Sequence, residues 1–156
     1  MDATEVLIDI RKIVRSINLE SKRIQKDYGV SIPQVLCLNY LYQSPGFQAT
    51  QGDLKKFLHL NPSTTSGIVN RLEKKGLIAR LPKLGDKRVT NLALTAQGEK
   101  LLKQIPALLH DRLSIKLQNL PSNELEQIRT SFRKLVNILQ IDNIEASPLL
   151  TTDELI

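Results

Sequence analysis

The stretch from Asn61 to Lys75, NPSTTSGIVNRLEKK, constrains this chain more than any other. Asn61 is a good N-cap, and Pro62 at the first helical position gives up an N–H that would have no partner there. A helix therefore starts at Pro62. Thr65, Ile68, Val69 and Leu72 recur at three- and four-residue steps and make one apolar stripe, while Ser63, Thr64, Ser66, Gly67, Asn70 and Arg71 take the other face. Short hydroxyl and amide side chains near a helix N-terminus can lie close to phosphates and base edges, and Arg71 can reach a guanine edge with two hydrogen bonds. An ordinary solvated amphipathic helix has the same pattern, so the flanking segments decide between the two.

Upstream, Ser31 to Gln34 reads as a capping box with Pro33 in the first turn, opening a helix through Val35, Leu36, Leu38, Leu41 and Tyr42 that ends at Ser44-Pro45-Gly46. A further helix begins near Thr50, with Asp53 three residues on. His59-Leu60-Asn61 leaves room only for a tight corner: helix, turn, helix. Downstream, Gly76 closes the helix, and Leu77–Leu81 and Val89–Leu94 read as two strands joined by Pro82 to Arg88, a hairpin with a basic tip. Such a hairpin beside a helix-turn-helix is a wing. Lys83, Lys87 and Arg88 are its cations, and Arg88 is placed to enter a minor groove, whose negative potential favours Arg. Asp86 reads as holding Arg88 or Arg71; a Gly-Asp pair that merely makes the bend is the alternative.

Charge agrees with a groove-binding surface. The chain carries 22 Lys and Arg against 16 Asp and Glu, a net charge of +6 over 156 residues. Residues 31–94 hold nine basic and three acidic side chains, which is +6, and residues 142–156 hold four acids and no base. The positive charge therefore surrounds the proposed groove helix, as phosphate binding requires.

The run PSTTSGIVNRLEKKGLIAR, the wing GDKR with Asp86 and Arg88, and LTAQG at residues 94–98 resemble the MarR family of bacterial transcription regulators in order and spacing. The resemblance spans roughly Val6 to Gln140, with the specific motifs in the central third. It implies a mainly α fold with a small β-hairpin wing: a winged helix-turn-helix DNA-binding lobe over residues 31–94, a helical dimerisation region from residues 1–30 and 95–141, and an acidic tail, 142–156. It further implies a homodimer on a palindromic operator in double-stranded DNA, acting as a repressor released by a small aromatic or phenolic effector. Ser63, Thr64, Ser66 and Arg71 would then be the major-groove contacts, and Arg88, supported by Asp86, the minor-groove contact. Gly67 stands where many relatives carry a long polar or basic side chain, which leaves the operator sequence open.

The flanks fit that plan. Val6, Ile10, Ile13, Ile17 and Ile24, with Leu7 and Val14 beside them, mark an apolar seam on a first helix that Gly29 ends. Thr95 caps another helix whose seam runs from Leu101 to Leu120 with an expected kink, not a break, at Pro106. A last helix from Pro121-Ser122 carries Leu125, Ile128, Phe132, Leu135, Val136 and Leu139. These seams exceed what one small lobe can bury, which a two-fold dimer resolves. The tail is either disordered or docks its leucines on a partner subunit.

Other chemistry is thin. Cys37 sits among apolar neighbours and reads as a core residue; a redox-responsive regulator acting through Cys37 would need an exposed thiol beside a cation. His59 and His110 have no metal-ligand spacing, and no nucleophile motif, phosphate loop or paired catalytic carboxylates appear, so neither metal, cofactor nor enzyme is expected. One cysteine excludes an internal disulfide, and the absence of a secretory leader or long apolar run points to the cytoplasm, not a membrane. A winged helix used to bind an acidic protein partner remains the rival reading.

Overall fold

Side-chain caps set where the helices of the lobe begin. In the computed structural model, which describes residues 2–144, α1 (Ala3–Tyr28) is capped by Asp2 and stopped by Gly29, whose φ of 70° only glycine adopts without strain. α2 (Ile32–Gln43) opens with the Ser31–Gln34 capping box, α3 (Gln51–Leu58) with a Thr50–Asp53 box, and α4 (Pro62–Lys74) with Asn61, whose side chain accepts the Thr64 N–H at 2.8 Å. His59 turns the corner in a left-handed conformation, φ 53°. At the far end of α4, Gly76 N–H and Leu77 N–H donate to Glu73 O and Leu72 O, ending the helix and releasing an extended segment.

The sheet holds more than the expected hairpin. β2 (Ile78–Arg80) and β3 (Asn91–Leu94) pair antiparallel, Ala79 facing Ala93, and both are shorter than the sequence pattern suggests. A third strand, β1 (Gln48–Thr50), pairs with the other edge of β3, Ala49 facing Leu92, giving the order β1-β3-β2. Gln51 N–H then donates to Thr90 O, tying the start of α3 to the base of the wing.

α2 is the axis of the lobe. Residues 32–38 and Leu41 are all buried, so the first two turns of this helix are covered on every side. Leu54 and Leu58 of α3, Ile68, Val69 and Leu72 of α4, and Leu92 of β3 complete the core, each 4% exposed or less. Each such side chain contributes about 2 kcal/mol of transfer free energy.

The described residues form two compact units, residues 2–106 and residues 107–144. The first contains the lobe, α1 and α5 (Ala96–Gln104); the second contains α6 (Leu109–Gln118) and α7 (Ser122–Leu139). The kink expected at Pro106 is a break. A proline disfavours helical backbone in the residue before it, and Ile105 is extended at φ −79°, ψ 128°, with its N–H closing α5 on Leu102 O. Beyond Ile144, the acidic tail lies outside the described residues.

Among the described residues, two helices carry exposed apolar side chains. On α1, Val6, Leu7, Ile13 and Val14 are more than 40% exposed, and only Ile24 at the C-terminal end of the seam is buried. On α7, Leu125, Ile128, Phe132 and Leu139 are exposed.

Candidate nucleic-acid interface

α4 can present only one face outward because the other is locked into the core. Thr65, Ile68, Val69 and Leu72 are buried, as their spacing requires, and the Thr65 hydroxyl satisfies itself on Asn61 O at 3.0 Å. Ser63, Asn70 and Arg71 are exposed on the opposite face, and Thr64, Ser66 and Gly67 are half-buried beside them. Ser63 donates to Asn61 Oδ1 at 2.8 Å, so its hydroxyl is oriented by the same cap that starts the helix. Ser66 accepts from Gln51 Nε2 at 2.9 Å, which pins α4 against α3. A Cβ added to Gly67 would meet nothing within 4 Å, so this point of the face is a shallow notch open to close approach.

The wing segment is organised by one carboxylate. Asp86 Oδ1 accepts from the Arg88 N–H at 3.0 Å and from Nε at 3.2 Å, and Oδ2 accepts from Nη2 at 3.3 Å. The guanidinium fork is thereby oriented while 91% of the side chain stays exposed. The Arg88 side chain, followed by its backbone N–H, holds the Asp86 carboxyl below its ordinary range. Of the two partners that sequence left open for Asp86, the geometry selects Arg88. Lys83 donates to Lys87 O at 2.9 Å, which closes the tip with both lysines exposed.

Wing and helix meet at a cleft of about 400 Å³ lined by Thr50, Gln51, Lys55, Pro62, Arg88 and Thr90. Lys55 and Arg88 therefore line this cleft together, while the N-terminal turn of α3 is closed by its own capping box and by Thr90 O and carries the Asp53 carboxylate. A phosphate backbone running past this cleft would meet two cationic side chains.

Sequence spacing did not single out two residues that matter here. Gln51 joins β-sheet, α3 and α4 through its backbone and its side chain, and Arg80 bonds Asn70 and Glu73 across ten and seven residues. Periodicity does not flag their bonding, because the partners meet only when α3, α4 and the sheet pack together.

Cys37 is fully buried in α2, and burial pushes its thiol up to about 12. A thiolate is therefore opposed where a redox sensor would need one. Thiol-specific reagents are expected to leave the native protein unlabelled near neutral pH and to label one site on unfolding in urea. The sign of the linked pH effect follows. The unfolded thiol ionises near 9.0 and the folded one near 12, so Cys37 removes stability as pH rises through 9. Among the described residues, no group of three or more His, Cys, Asp or Glu side chains could hold a metal ion. No described helix is long and apolar enough to cross a membrane.

A helix-turn-helix packed on a three-stranded sheet, with a basic wing between the last two strands, defines a winged helix protein. Residues 30–90 match the model of the MarR family. Over 126 residues the chain is 25% identical to the uncharacterized HTH-type transcriptional regulator YsmB of Bacillus subtilis, covering 81% of this chain and 85% of that protein. Over 107 residues it is 26% identical to the HTH-type transcriptional repressor Rv2887 of Mycobacterium tuberculosis, covering 69% and 76%. In structure it superposes on S. aureus MepR in a MepR–DNA complex with a TM-score of 0.64 at 24% identity, over 88% of this chain and 98% of that one. Sco3205 of Streptomyces coelicolor, a MarR family transcriptional regulator in complex with DNA, gives 0.64 at 22% identity over 94% of each chain. The family match over residues 30–90, together with these relatives, supports a MarR family regulator.

Proposed function

We propose that this chain is a homodimeric, sequence-specific DNA-binding transcription regulator of the cytoplasm, acting as a repressor. One observation carries the reading: the face of α4 that cannot enter the core is small, polar and cationic, and an oriented, exposed Arg88 stands on the wing beside it. In this reading Ser63, Thr64, Ser66, Gly67, Asn70 and Arg71 meet the major groove, Arg88 the minor groove, and Lys83 and Lys87 the phosphates. The names of the relatives support it, since one is a repressor and two solved neighbours are bound to DNA.

Dimerisation would cover the exposed apolar side chains of α1 and α7. Residues 1–30 and 95–141 then form the dimer region around the 31–94 lobes. Two lobes about 34 Å apart fit half-sites one turn apart, and a small aromatic or phenolic effector would release DNA by favouring a different separation.

The test is a competition between palindromic duplexes from the upstream region of the gene and random duplex, with light scattering at micromolar protein. Twice the chain mass and a protected palindrome are expected. A monomer, or no duplex preferred over random sequence, would remove the reading. Within it, Arg71→Ala is expected to relax preference at one base position in each half-site by about 1–3 kcal/mol, the value of a lost bidentate contact, read from binding to single-base operator variants.

A further inference from the structure

Asn70 lies on the outward face of α4, yet its amide is not free to turn. Its Oδ1 accepts from Arg80 Nη2 at 2.5 Å, while Arg80 Nη1 donates to Glu73 Oε1 at 2.8 Å. A guanidinium has N–H donors and no acceptor, so the end of the amide that faces it must be the oxygen. Arg80 is in turn anchored by Glu73, with about a third of each side chain exposed, 35% and 39%. The amide oxygen is thus drawn toward β2, and the NH2 group is left for whatever approaches α4. Gly67, one turn earlier, adds no side chain to block that approach.

An unconstrained asparagine reads adenine by donating to N7 and accepting from the N6 amino group. With one lone pair of its oxygen taken by Arg80 and that oxygen drawn toward β2, Asn70 offers an approaching base chiefly the donating half of that pattern. Guanine presents two acceptors, O6 and N7, in the major groove, thymine presents O4, and cytosine presents a donor. We propose that Asn70 reads its base as a donor, that Arg80 is the positioning residue that makes it so, and that together they favour guanine, whose O6 and N7 both accept, over adenine and thymine, which offer one acceptor each, and over cytosine, which offers none, at one position of each half-site.

This inference rests on the DNA-binding reading, and the experiment separates the two. A pool of duplexes randomised across the half-site is bound by the full-length protein, and the retained fraction is sequenced. The native protein is expected to show one column, repeated symmetrically, enriched in guanine and depleted in cytosine. Asn70→Ala should flatten that column alone. Arg80→Ala, which frees the amide oxygen, should raise adenine there about fivefold or more, in line with one bidentate pair. Asn70→Asp keeps an acceptor for Arg80 but has no donor, so it should lose the guanine preference with the melting temperature unchanged; this variant carries the test if Arg80→Ala unfolds. A merely structural Arg80 would lower stability and leave every column as it was. No selected sequence at all would defeat the regulator reading itself. A selected palindrome whose columns are identical in the native protein, Asn70→Ala and Asn70→Asp would defeat this inference alone.

Discussion

Gly98→Ala is expected to destabilise the fold by about 3 kcal/mol or more, a large cost for one methyl group. Gly98 sits in the first turn of α5, where a Cβ would lie 2.1 Å from Leu77 O and 2.8 Å from Leu94 Cδ1. The first of these contacts is with backbone, which cannot rotate away. Thr95 fixes the approach from both sides: its hydroxyl donates to Gly76 O at 2.7 Å and accepts from the Gly98 N–H at 3.0 Å, and its own N–H donates to Leu77 O at 3.2 Å. The start of α5 is therefore seated on the segment that leaves α4. Pushing it off disturbs the helix cap, the start of β2 and the exit of α4 together. The same substitution at Gly67, where a Cβ meets nothing within 4 Å, should instead stabilise by about 0.5–1 kcal/mol, because glycine is a poor residue for a helix interior. Urea unfolding of both variants at one fixed protein concentration reads the contrast. A Gly98→Ala midpoint equal to that of the native protein would show that α5 does not bear on Leu77.

That close approach was not legible from sequence, although the motif containing it was. Caps and breakers are local, and they served well: Ser31 with Gln34, Thr50 with Asp53, Asn61 with Pro62, and Gly29 and Gly76 each mark a boundary the structure has. The buried stripe of α4 could likewise be read from its spacing alone. What failed depends on partners distant in the chain. β1 is three residues long, has no alternation of its own, and exists through its pairing with β3 some forty residues later. The shortening of the wing strands has the same origin, since Val89 turns back to Asp86 O and has no partner across the ladder. At Pro106 the error was one of weighting: the restriction on the preceding residue outweighed the continuity of the leucine seam, and Ile105 left the helix. The groove face was visible as a set of residue types, but the engagement of Asn70 by Arg80, and of Ser66 by Gln51, required the sheet and α3 to be in place.

Arg88→Ala is expected to leave unfolding unchanged and to weaken operator binding by at least about tenfold, with the slope of log K against log salt reduced by about 2, one charge from each wing of the dimer. Stability is indifferent because Arg88 is 91% exposed and its pairing with Asp86 lies in water, where such pairs contribute little. Binding is sensitive because the same exposure puts an oriented guanidinium at the edge of the cleft between wing and α4. Asp86→Ala separates orientation from charge. It makes each chain more positive, so long-range attraction alone predicts tighter binding to any duplex. If Asp86 serves to hold the Arg88 fork, the variant should bind the operator more weakly while holding random duplex at least as well. The native carboxylate persists through neutral and mildly acidic pH, since Arg88 keeps it ionised below the usual carboxylate range, and its hold on Arg88 is lost only as pH falls through that lowered value. Operator affinity should therefore show no titration of this pair between pH 5 and about 8. An Asp86→Ala protein that gains affinity equally for operator and random duplex would show that the wing contributes charge alone.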